Sequence, residues 1–171
     1  MMKRIYWQSY SKDNTVVTAL DLSSNEITMN GVIELAKTIP TMRALVKFDV
    51  STNSLCAQGG KLLAEALKGN NVIQELNIAG NNLTYNRLAS ADMSGVEALA
   101  TAIQTMGGLV KFGIHNNDIR AEGGKALAEA LKDNQVMEEP SCRSLQATCP
   151  GSPGGQWAQY INRLALTCQL N

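Results

Sequence analysis

Apolar residues recur in one register four times along the chain, as Val17-x-x-Leu20-x-Leu22-x-x-Asn25-x-Ile27, Leu45-x-x-Phe48-x-Val50-x-x-Asn53-x-Leu55, Ile73-x-x-Leu76-x-Ile78-x-x-Asn81-x-Leu83 and Leu109-x-x-Phe112-x-Ile114-x-x-Asn117-x-Ile119. A second motif keeps step with the first. Gly31, Gly59, Gly95 and Gly123 precede the pairs Leu35-Ala36, Leu63-Ala64, Leu99-Ala100 and Leu127-Ala128, which lead to Ile39, Leu67, Ile103 and Leu131. Two motifs in one phase mark a repeat architecture. Successive Asn residues lie 28, 28 and 36 positions apart, so the third unit carries 8 extra residues, which fall within 82–94.

The alternation in Leu20-x-Leu22 is that of a strand with one buried face, whereas Leu35-Ala36 followed by Ile39 recurs at helical spacing. Each unit therefore reads as strand, turn, helix, turn. A strand that returns in the same direction after a crossover helix pairs in parallel with its predecessor and buries one side against the helices. Helices are wider than strands, so stacked units curve. The predicted fold class is α/β: a short horseshoe solenoid of about four repeats, with parallel strands on the concave face and helices on the convex face. Where the chain leaves each strand, backbone groups lose their ladder partners, and a carboxamide can donate and accept at once. Asn25, Asn53, Asn81 and Asn117 are accordingly read as a structural ladder.

This pattern resembles the leucine-rich repeats of the ribonuclease-inhibitor-like type. The resemblance covers residues 16–139 and rests on Leu20, Leu22, Asn25, Ile27 and their counterparts, with the Gly-Gly-Lys-x-Leu-Ala-Glu-Ala-Leu-Lys segments at 59–68 and 123–132. Proteins similar in this way include enzyme inhibitors, GTPase activators, innate immune receptors and actin-capping proteins. The resemblance thus implies a non-catalytic protein-interaction module, with a GTPase-activating or other regulatory protein, or an actin-filament end-binding protein, as alternatives.

A solenoid's terminal units expose apolar faces unless capped. Residues 1–15, with Tyr6, Trp7 and Tyr10, are expected to form an N-terminal cap ahead of the repeat domain at 16–139. Pro140 stands where the register expects Leu, and proline cannot donate to a sheet, so a fifth regular strand is not expected. Residues 140–171 read as an irregular linker. Within them Trp157, Tyr160, Ile161, Leu164 and Cys168 share one helical face, suited to capping the open end or to swapping into a dimer.

Charge and motif content narrow the chemistry. With 15 basic and 15 acidic residues there is no net excess, which disfavours nucleic-acid binding and an acidic grip on a basic protein. No apolar run is long enough to span a membrane, and the opening residues turn polar before a signal-peptide core forms, so a cytoplasmic setting is expected. Cys56, Cys142, Cys149 and Cys168 lack a C-x-x-C spacing, and His115 is the sole histidine, so neither a metal site nor a cofactor is expected. Gly60-Lys61 and Gly124-Lys125 are not phosphate loops: Leu55 and Ile119 stand where the first Gly belongs, and Leu62 and Ala126 where Ser or Thr belongs. They read as helix starts. No catalytic residue is assigned.

A protein partner is expected on the concave side, where residues between the apolar strand positions point. The candidates are Asp21 and Ser23 with Thr18, then Lys47, Asp49 and Ser51, then Gln74 and Asn77 with Ala79, then His115 with Val110 and Gly113. His115 could add a pH-sensitive contact. Tyr85 and Arg87 lie in the insertion, on a rim, and are residue types common at interface centres.

Overall fold

The computed structural model describes residues 15–85, 92–132 and 139–141, the last by backbone alone. The expected N-terminal aromatic cap, Arg87 and the linker and helix expected after residue 141 lie outside the described residues.

Five short strands, β1 (Ala19–Asp21), β2 (Lys47–Asp49), β3 (Glu75–Asn77), β4 (Lys111–Gly113) and β5 (Glu139–Ser141), form one parallel sheet in chain order. Between them run α1 (Met29–Thr38), α2 (Cys56–Leu67), α3 (Ser94–Gln104) and α4 (Arg120–Leu131). The register carries the repeat into space: Leu20, Phe48, Leu76 and Phe112 are direct partners across successive strands. Phe48, Leu76 and Phe112 are buried, as are Leu22, Val50, Ile78 and Ile114 beyond them. One continuous core results, closed by Val32 and Leu35 of α1, Leu63 and Leu67 of α2, Val96 and Leu99 of α3 and Leu127 of α4.

β5 corrects the expectation that Pro140 ends the pairing. Pro140 takes the register position opposite Phe112, and β5 runs parallel to β4. It is the outermost strand of the described sheet, where a missing N–H costs least. The repeat domain therefore reaches two residues past 139.

The helix starts also differ from expectation. α2 begins at Cys56 and α4 at Arg120, so Gly60-Lys61 and Gly124-Lys125 lie inside their helices. Gly60 is needed for packing: a Cβ there would meet the Cα of Gly95 at 3.2 Å. Two helices thus approach backbone to backbone at a Gly60–Gly95 contact.

At two of the four Asn positions the carboxamide bonds fully across successive turns. Asn53 Nδ2 donates to the carbonyls of Leu22, Val50 and Ser51 at 2.9–3.1 Å, while its Oδ1 accepts the N–H groups of Asn25 and Ile27 at 3.1 and 2.8 Å. Asn117 repeats this toward Ile78, Ile114 and His115, and accepts from Asn81 and Leu83. Asn25 is one exception. It is exposed, and its amide reaches only the Ser23 carbonyl, since the described residues hold no earlier strand.

The middle rung is incomplete. Asn81 Nδ2 donates to Val50, Ile78 and Ala79, but its buried Oδ1 has no hydrogen-bond partner. The turn after β2 also runs differently. Glu26, Asn82 and Asp118, each following a ladder Asn, adopt positive φ, whereas Ser54 in the second unit does not; three positions after the Asn, Cys56 and Arg120 do. Cys56 N donates to the Asn81 carbonyl. The residue before each ladder Asn is left-handed in all four units: Ser24, Thr52, Gly80 and Asn116.

Candidate functional site

Because side chains alternate along a strand, the residues flanking Leu20, Phe48, Leu76 and Phe112 project to the face opposite the helices. They floor a groove of about 450 Å³ across β1 to β4. Two rows follow from the register. The first is Ala19, Lys47, Glu75 and Lys111; the second is Asp21, Asp49, Asn77 and Gly113.

In the first row Glu75 is shared. Its carboxylate oxygens lie 3.1 Å from Lys47 Nζ and 3.3 Å from Lys111 Nζ, and its pKa falls below the usual carboxylate range, chiefly through the hydrogen bond from Lys47. Cross-strand pairs of opposite charge support the sheet, although at this exposure each is worth little. Glu139 holds the next register position beside Lys111.

In the second row the carboxylates are fixed by their own turns. Asp21 Oδ1 accepts the N–H and hydroxyl of Ser23 at 2.9 and 2.7 Å, and these bonds lower its pKa. Asp49 Oδ1 accepts the same pair from Ser51 at 2.9 and 2.6 Å, while Oδ2 accepts from Asn77 Nδ2 at 2.8 Å. Neither Asp has an ion-pair partner among the described residues. Gly113 makes room for this arrangement, since a Cβ there would lie 2.6 Å from Asn77 Oδ1.

The sequence-based candidates divide accordingly. Asp21, Lys47, Asp49, Asn77 and His115 line the groove. Gln74 does not: it is exposed, but strand alternation gives its place to Glu75, as it gives Val110's to Lys111. Period-2 counting outward from Leu76 and Phe112 would have found both. Ser51 is buried and Ser23 half-buried, so their hydroxyls serve the neighbouring carboxylates. His115 is half-buried, and its Nδ1 has no hydrogen-bond partner.

Tyr85 does not line the groove and is 57% exposed. Its backbone is held, with its N–H donating to the Asn82 carbonyl at 2.8 Å and its carbonyl accepting from Ala57 at 3.2 Å. Beside it, Asp92 accepts hydrogen bonds from the N–H and hydroxyl of Ser94 at the start of α3, which lower its pKa. Among the described residues no group of His, Cys, Asp and Glu could hold a metal ion, and no helix is long and apolar enough to cross a membrane.

A family model described as Leucine Rich repeat matches residues 13–36. The human NACHT, LRR and PYD domains-containing protein 13 is 30% identical over 114 residues, 67% of this chain and 10% of that protein. The Ran GTPase-activating protein of Drosophila melanogaster is 32% identical over 127 residues, 69% of this chain and 20% of that protein. The chain thus spans only a small part of these curated relatives. Among solved structures, the tropomodulin C-terminal domain of Caenorhabditis elegans superposes with a TM-score of 0.67 at 14% identity, covering 92% of this chain and 87% of that one. Leiomodin-1 Actin-Binding Site 2 does so with a TM-score of 0.65 at 14% identity, covering 91% and 82%. At that identity these two structures establish the fold alone. With its ladder of buried Asn residues and its strand–helix units, the chain has the leucine-rich repeat architecture and is similar to leucine-rich repeat proteins of the ribonuclease-inhibitor-like type.

Proposed function

We propose that this chain is a non-catalytic protein-interaction module, working in the cytoplasm, that binds a protein partner across its concave sheet face and the rim at Tyr85. One observation carries the reading. The groove is floored by charged and amide side chains held in place by the protein's own hydrogen bonds, so a partner would meet a face already organised for contact. Replacing Asp21, Asp49 and Asn77 together with Ala tests it. Capture of partners from a lysate of the source cell should be lost while circular dichroism still reports a folded chain. Unchanged capture would remove the concave face from the reading.

The similarity to a Ran GTPase-activating protein favours a second reading, regulation of a nucleotide-bound GTPase. Such a regulator can supply an Arg to the charge developing on phosphate. Arg120 is exposed near the mouth of the strand-to-helix turns, although it faces Asp118 at 3.4 Å. Stimulated GTP hydrolysis, lost on Arg120→Ala or Arg87→Ala, would promote this reading. Binding to actin-filament ends has only fold likeness behind it, and co-sedimentation decides it.

A further inference from the structure

The charges of the concave face are segregated. Asp21 and Asp49 lie opposite each other on β1 and β2, two carboxylates at neighbouring register positions with only neutral donors on their oxygens. Like charges so placed repel, and among the described residues neither carboxylate has a cation paired with it. The ammonium groups of the face stand on β2 and β4. One carboxylate, Glu75, serves two ammonium groups, Lys47 and Lys111, and Lys111 is the more distant of the two. Lys111, Gly113 and His115 line the β4 end of the groove, where the Asn77 side chain reaches over Gly113. The carboxylates without an ion pair therefore lie over β1–β2, and the ammonium of Lys111, shared with Glu75 and next in register to Glu139, lies at β4.

Resting on the concave-face reading above, we infer that the groove takes an amphipathic helix carrying a basic side chain and, seven positions away, an acidic one. The basic group seats against Asp21 and Asp49 and the acidic group against Lys111. Inner strands have their backbone groups committed to the sheet, so this face offers side-chain recognition only, which suits a segment whose own backbone is satisfied. Two strand spacings separate Asp49 from Lys111, about 10 Å, or about 12 Å along the diagonal between the rows. Seven helical residues advance about 10.5 Å and return to the same helical face. Complementary charge at both ends fixes how the segment lies, and like-charged segments are rejected.

A phage-displayed library of single helices, randomised over its whole surface and panned against the full chain, supplies the probe. The expected winners carry Lys or Arg and Asp or Glu seven positions apart. They should bind the Asp21→Asn/Asp49→Asn variant about tenfold or more weakly, lose affinity as salt rises, and be lost on Asn77→Trp, which fills the middle of the groove. Lys111→Gln reads the acidic end separately, in case the double variant does not fold. Winners lost on Asn77→Trp yet indifferent to both charge variants would overturn this inference and leave the concave-face reading standing. Winners that still bind Asn77→Trp would overturn both. Failure to enrich any helix would overturn the helical occupant, leaving the capture experiment to judge the wider reading.

Discussion

A Cβ on Gly95 would stand 2.6 Å from the carbonyl oxygen of Ala57 and 2.9 Å from its Cα. The start of α3 therefore rests directly on the first turn of α2, and Leu83 closes the same spot from the turn after β3, its carbonyl oxygen 2.9 Å from that Cβ. All of these obstacles are backbone atoms, which cannot swing aside. Gly95→Ala should destabilise the chain by about 1–3 kcal/mol, the usual cost of overpacking. Urea unfolding at constant slope would measure it, and a neutral substitution would show that the two helices can slide apart.

The ladder residues should not respond alike. Asn117 is 1% exposed and serves five backbone groups, whereas Asn25 is exposed and serves one. Asn117→Ala strands several buried groups, at about 1–3 kcal/mol each, so that variant should sit near the edge of unfolding. Asn25→Ala should cost about 1 kcal/mol or less. Equal losses in a thermal melt would contradict the burial difference.

Thr52 and Gly80 occupy equivalent left-handed positions, at φ of 54° and 65°. That conformation costs a side chain about 1–2 kcal/mol, partly offset by the greater freedom glycine has in the unfolded chain. Thr52→Gly should therefore stabilise by about 0.5 kcal/mol, while Gly80→Ala should destabilise by about 1 kcal/mol. Opposite shifts in denaturation midpoint are the expected signature.

Acid should weaken the face before it unfolds the core. Asp21, Glu75 and Asp92 all have pKa values depressed by the hydrogen bonds they accept in the fold. Groups of this kind bind fewer protons folded than unfolded, so their stabilisation is complete above the ordinary carboxylate values of 3.8 and 4.5 and disappears as pH falls through the lower folded ones. Melting temperature should stay level down to about pH 5 and then drop. In the Glu75→Gln variant the drop should be shallower. An identical acid limb in that variant would show the Lys47–Glu75–Lys111 bridge to be without weight in solution.

Much of this architecture can be read from the chain, because one apolar period appears four times in phase. Strand positions, helix faces and the job of Asn53 and Asn117 all follow from that repetition. Four features escape it. Only Gly80 betrays the left-handed position before each Asn, since Ser24, Thr52 and Asn116 adopt it without glycine. Pro140 hides β5, because a proline argues against a strand except where one side of it is unpaired. Glu75 and Lys111 were open to strict alternation, yet their pairing depends on which strands become neighbours, a relation no single unit states. The orphaned Asn81 oxygen reflects the divergent path of the Ser54–Cys56 turn, which no periodic reading reaches.

The amide bonds of Asn53 and Asn117 all run backward, to the turn their own strand makes and to the turn of the unit before. The bend at Asn25 and Ile27 is thus finished only by a residue 28 positions later, and the bend at Asn81 and Leu83 by one 36 positions later. During synthesis from the N-terminus, the first and third units wait for their successors to leave the ribosome before their corners are sealed. At those two corners the order of manufacture is also the order of locking.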